Sequence, residues 1–167
     1  FLVAETGDKR AALMAQANVA AAQALHVVLT NRLADSDGDG LLGYSVGLPG
    51  APNTVSTVRS SIAVALYDEE PASNDAVTFL HEMGHFVGLM HTTEEDGTTD
   101  LLADTPACSL YTGASAGGKG SGGKGKPSTC EDVDNLMTPA GPLHRTLVSP
   151  SQVRVVRGSP IYRARRP

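Results

Sequence analysis

At 167 residues, 41% hydrophobic and 19% charged, the chain is long enough to bury a core and is expected to form one domain, 1–167, around a cleft. Its net charge of −5 gives no electrostatic basis for a nucleic-acid partner. No apolar run approaches the roughly 20 residues that cross a bilayer, so no membrane span is expected. The start, Phe1-Leu2-Val3-Ala4-Glu5, has neither the basic flank nor the apolar length of a signal peptide. The sequence therefore reads as trimmed at both ends, with targeting information, or an anchoring N-terminal segment, expected outside it.

In chain order, the Ala-rich run from about Asp8 to Ala24 is a strong helix former. The β-branched stretch Leu25–Thr30 predicts a buried strand. Next comes an acidic turn in which Asp35, Asp37 and Asp39 match the first half of an EF-hand calcium loop. Val46 stands where that loop needs a bidentate Glu. A standard EF-hand is excluded, leaving a calcium-stabilised turn or a solvated acidic one. Leu41–Val46 and Ser61–Leu66 predict further strands. A helix is expected to begin at the capping residues Ser73-Asn74-Asp75 and to end at Gly88, with Val77, Phe79, Leu80, Met83, Phe86 and Val87 as its apolar positions.

Residues 92–135 read mostly as loop, centred on the low-complexity segment Gly117–Lys126. Gly118–Lys124 approaches a phosphate-binding loop, but Gly125 replaces the required Ser or Thr and no strand precedes it, so that reading is rejected. Cys108 and Cys130 flank this segment, which predicts one disulfide and an oxidising, extracellular compartment. Such a bridge contributes about 3 kcal/mol in the chain-entropy model. Ser149-Pro150-Ser151-Gln152 has the form of a capping box opening a last helix. The arginines that follow (Arg154, Arg157, Arg163, Arg165, Arg166) read as a solvated face.

The chemistry is concentrated in His81-Glu82-Met83-Gly84-His85-Phe86-Val87-Gly88-Leu89-Met90-His91. Two histidines four apart on a helix stand one turn above the other and can share one ion at about 2.0–2.1 Å. Gly88 permits the backbone to leave the helix and return His91 as a third ligand. Three neutral nitrogens leave a fourth zinc position for water, the arrangement of a catalytic site. Glu82 is placed to act on that water as general base. A structural metal clip would need only the two helical histidines. His26 and His144 have no partner at ligand spacing and read as structural.

The segment His81–His91 resembles the long zinc signature of metzincin metallopeptidases, and Asn135-Leu136-Met137 resembles their Met-turn. Asp104-Thr105-Pro106, Cys108, and Cys130 shortly before Asn135-Leu136-Met137 are similar to the pappalysin-like group of that clan. The resemblance, over roughly residues 25–160, implies an α/β (α+β) fold. A twisted mixed sheet with two long helices would occupy about 1–88. A smaller irregular C-terminal part, about 89–167, would hold the Met-turn and final helix. It implies a zinc-dependent endopeptidase acting on protein or peptide substrates, secreted and monomeric, with Met137 supporting the zinc ligands. It also implies calcium after the zinc motif, where Glu94, Glu95, Asp96, Asp100 and Asp104 are the acidic residues. The group's tyrosine two residues after the Met-turn methionine is here Pro139, so no tyrosine role carries over. A catalytically silent zinc fold and a hydrolase of small molecules or peptide ends are the alternatives. Glu82 argues against the first, and an open cleft would argue against the second.

Overall fold

A computed structural model of the chain describes residues 25–34, 40–49, 61–66, 71–94, 98–106, 132–139 and 145–160. The predicted helix over 8–24, the acidic turn at Asp35, Asp37 and Asp39, Asp96, His144 and the cysteines Cys108 and Cys130 lie outside the described residues.

Five strands and two helices are described: β1 (His26–Thr30), β2 (Leu33–Ala34), β3 (Gly40–Leu41), β4 (Gly43–Ser45), β5 (Ser61–Ala65), α1 (Ala72–Val87) and α2 (Pro150–Gly158). The main sheet has the order β1-β5-β4, with β5 parallel to β1 and antiparallel to β4. Ser-Ile-Ala-Val-Ala in β5 is buried at every position, because a central strand covered on both faces needs a continuous run of small or apolar residues. Leu33, Ala63 and Ala65 form a core cluster against which Val28, Leu41, Tyr44 and Val46 pack. α1 lies across β5 and β4. The result is a mixed sheet packed against helices, an α+β arrangement.

The stretch expected as a single strand over Leu41–Val46 is two short ones. Leu41 pairs with Leu33 in a separate two-stranded ladder, whereas Gly43 already pairs with Val64 of the main sheet. The chain changes partner at Leu42, whose carbonyl accepts from the Ala65 N–H at 2.8 Å.

α1 also starts earlier than its polar residues suggest. Its N-cap is Pro71 in an extended conformation, without a side-chain cap, so Ser73, Asn74 and Asp75 sit inside the first turn. There Asp75 complements the helix dipole. The far end follows expectation. Gly88 takes φ 110°, in the left-handed region that favours glycine, and the Leu89 N–H closes back on the Gly84 carbonyl at 2.9 Å. The chain leaves the helix sharply towards His91.

α2 opens with the predicted capping box. The Gln152 N–H donates to Ser149 Oγ at 3.1 Å, and the Ser149 N–H donates to Gln152 Oε1 at 2.8 Å. Asp104 joins this cap, accepting from Ser149 Oγ and from the Ser151 N–H, both at 2.9 Å. The loop that follows the histidines is thereby fastened to the last helix.

Candidate metal centre

His81 and His85 project from α1 into a cleft of about 660 Å³ whose opposite wall is β4. His91, returned by the turn at Gly88, completes a cluster in which one ring nitrogen from each residue lies within 4.8 Å of the others. His91 Nε2 is 3.2 Å from His81 Nε2 and 3.0 Å from His85 Nε2.

The outward nitrogens decide what these close approaches mean. His81 Nδ1 lies 2.7 Å from the Leu136 carbonyl, His85 Nδ1 2.8 Å from the Leu89 carbonyl, and His91 Nδ1 2.9 Å from Glu94 Oε2. A carbonyl or a carboxylate can only accept, so each Nδ1 carries a proton, and each ring in its neutral form then presents a lone pair at Nε2. Three lone pairs converging at these distances cannot bond to one another. A cation between them would satisfy all three at once. A tetrahedral ion with bonds of about 2.0–2.1 Å holds its ligands about 3.3 Å apart, close to the separations found here. The donor set therefore fits zinc, with every imidazole oriented by an acceptor on its far side.

Burial prepares the same groups electrostatically. Desolvation lowers His81 to about 3, against the opposing effect of the Leu136 carbonyl and with help from the charges of His85, His91 and Arg145. Desolvation likewise lowers His85 to about 4, with His91 adding to it. Both are neutral at pH 7, as a zinc ligand must be. Glu82, 6% exposed beside them in the cleft wall, is raised by desolvation to about 8. A divalent cation next to that carboxyl favours its ionised form.

The combined contribution of these three groups to the stability of the metal-free protein is greatest near pH 6.5. Below 6.5 the unfolded chain takes protons on His81 and His85 that the folded one refuses until about 3 and about 4 respectively, so stability falls as pH falls. Over the same range the folded state keeps a proton on Glu82 that the unfolded chain releases above 4.5, offsetting one of the two. From 6.5 to about 8 only the Glu82 effect remains of these three, and stability falls as pH rises. Urea midpoints measured in chelator from about pH 5 to about pH 8.5 should show the maximum, and a steady rise to the alkaline end would contradict it.

Beneath the histidines lies a tight turn at Asn135–Thr138, closed by the Thr138 N–H on the Asn135 carbonyl at 3.1 Å. Asn135 Oδ1 accepts from the Met137 N–H at 2.9 Å, while its amide exchanges two hydrogen bonds with that of Gln152 in α2. The turn presents the Leu136 carbonyl to His81 and the Met137 carbonyl to the Thr92 N–H at 3.2 Å. Met137 is fully buried, with Sδ so close under Gly84 that a β-carbon there would collide with it.

The structure thus brings together His81, Glu82, His85, His91 and Met137. Asp100 and Asp104 stand apart from the triad and hold the loop. Asp100 Oδ1 accepts from Thr105 Oγ1 at 2.6 Å and from the Leu102 N–H at 3.0 Å, and Asp104 caps α2. Sequence reasoning missed Gly84 as the opening for Met137, Glu94 as the partner of His91, and the buried Arg145 in the cleft wall.

A convergent triad of imidazoles, completed from beyond its helix and flanked by a buried glutamate, is a donor arrangement that suits a catalytic zinc site. Residues 48–124 match the Peptidase_M43 family, described as pregnancy-associated plasma protein-A. That match, over 77 of the 167 residues, and the triad together make this part of the chain similar to the pappalysin-like zinc metallopeptidases. No curated protein and no solved structure matches it.

Proposed function

We propose that the chain is an endopeptidase in which His81, His85 and His91 hold one zinc through Nε2 and Glu82 is the general base. The observation that carries this reading is the convergence of three Nε2 lone pairs whose Nδ1 protons are already committed to Leu136, Leu89 and Glu94. Zinc, when bound there, polarises the scissile carbonyl and acidifies the attacking water. Glu82 takes the proton of that water on its carboxylate and passes it to the leaving nitrogen. Buried in the cleft wall, Glu82 does so with little competing solvent.

The cleft supports internal cleavage rather than removal of single terminal residues. It runs along β4, the last strand in the order β1-β5-β4, beside which an extended peptide would lie across the histidines. The turn at Asn135–Thr138 serves as the Met-turn. It sets the Leu136 carbonyl on His81 and places Met137 as packing below the ligands, without coordination. The cleft divides one catalytic domain at about Gly88. A Cys108–Cys130 disulfide and secretion belong to the same reading. Among the described residues no helix is long and apolar enough to cross a membrane.

Digestion of a diverse peptide mixture, with and without a zinc chelator, tests the reading through sequencing of the products. Internal cuts that disappear with chelator are expected. Release of terminal residues alone, or no cleavage by zinc-loaded protein, would contradict it.

A further inference from the structure

We propose that Gly43 is a positioning residue, whose missing side chain lets β4 seat the Glu82 carboxylate in the cleft. The proposal rests on the reading of Glu82 as general base. Gly43 opens β4, pairs with Val64, and lines the cleft opposite α1. A β-carbon built on it would lie 2.6 Å from both Cγ and Oε1 of Glu82 and 2.8 Å from Cδ. Non-bonded carbon and oxygen atoms do not approach so closely, and three atoms of one side chain are involved. Retreat of the carboxylate tip alone would leave Cγ in conflict.

The backbone gives no other reason for glycine here. Gly88 is the glycine with positive φ among the described residues, and Gly43 is an ordinary paired strand residue. A paired strand position gains nothing from glycine by packing, and glycine orders at greater entropic cost than other residues. What this position gains from glycine is close approach to Glu82. The strand backbone forms one side of the seat and α1 the other, so the carboxylate is confined before substrate arrives.

Gly43→Ala should therefore push Glu82 from its place while leaving the histidines and their acceptors untouched. A displacement of about 1 Å at a reacting group costs on the order of 100-fold in rate. The expected result is a fall of that order in kcat, with KM and zinc affinity nearly unchanged. Glu82→Asp provides the decisive background, because a carboxylate one methylene shorter withdraws from the strand. In that background Gly43→Ala should change kcat by less than about threefold, a strong non-additivity. An equal loss in both backgrounds would overturn the proposal, since a general defect of the strand acts whatever stands at position 82. So would a Gly43→Ala enzyme of normal kcat. Near-normal turnover by Glu82→Ala would instead overturn the general-base reading, which keeps the two failures distinct.

Discussion

Glu82→Ala is expected to abolish peptide cleavage in a protein that still folds and still holds zinc. A general base contributes about 10²–10⁴ in rate, and kcat should fall at least that far. Folding should not suffer in parallel. Desolvation raises the Glu82 carboxyl to about 8, so the folded state bears a cost at neutral pH that alanine removes. The melting temperature of the metal-free variant should equal or exceed that of the parent at pH 8. Lost activity with undiminished stability marks a residue kept for chemistry rather than for the fold. Near-normal turnover in a clean preparation would refute its role.

Met137→Asp is expected to damage the fold and the metal site together. The side chain is fully buried, with Sδ under Gly84 and its backbone tied to Asn135 and Thr92. A carboxylate placed there has no water, and leaving a buried charge uncompensated costs about 3–5 kcal/mol. For a chain of this size that is roughly 10 °C in Tm, with zinc affinity falling as the histidines lose their floor. Met137→Leu, close in volume, should cost less than about 1.5 kcal/mol and keep zinc. Melting curves and zinc competition on both variants separate this from a methionine that merely fills space far from the site. If Met137→Asp matched the parent in both, the turn would have no bearing on the metal.

Much of this site could be read from sequence because helical geometry fixes it locally. His81 and His85 four apart must share a face, and Gly88 three residues on had to mark the exit that returns His91. The capping box at Ser149 was equally local, and both of its reciprocal bonds are present. Contacts between distant segments were not legible. The Gly84 under which Met137 sits is an unremarked residue inside the motif until position 137 is folded beneath it. Gly43 read as one residue of a continuous strand, although an isolated glycine in a strand pattern is a signal of close backbone approach. The split of Leu41–Val46 into two strands depends on the partners Leu33 and Val64, which no local pattern reveals. The start of α1 was misjudged because Ser73, Asn74 and Asp75 are all good capping residues, while Pro71, which donates nothing, sets the boundary. The family resemblance implied calcium near Asp100 and Asp104; in the structure Asp100 accepts within its own loop, from Thr105 and Leu102, and Asp104 ties that loop to the last helix.

The central claim is that three converging imidazoles hold the one zinc on which peptide cleavage depends. Chelated protein titrated with zinc, with cleavage followed at each addition, tests it most directly. Activity should rise linearly and level off at about one equivalent, as tight binding at a single closed set of three neutral ligands requires. His91→Ala should bind zinc far more weakly and recover little activity at that point. Full cleavage before any zinc is added, or a His91→Ala titration that overlays the parent, would contradict the account.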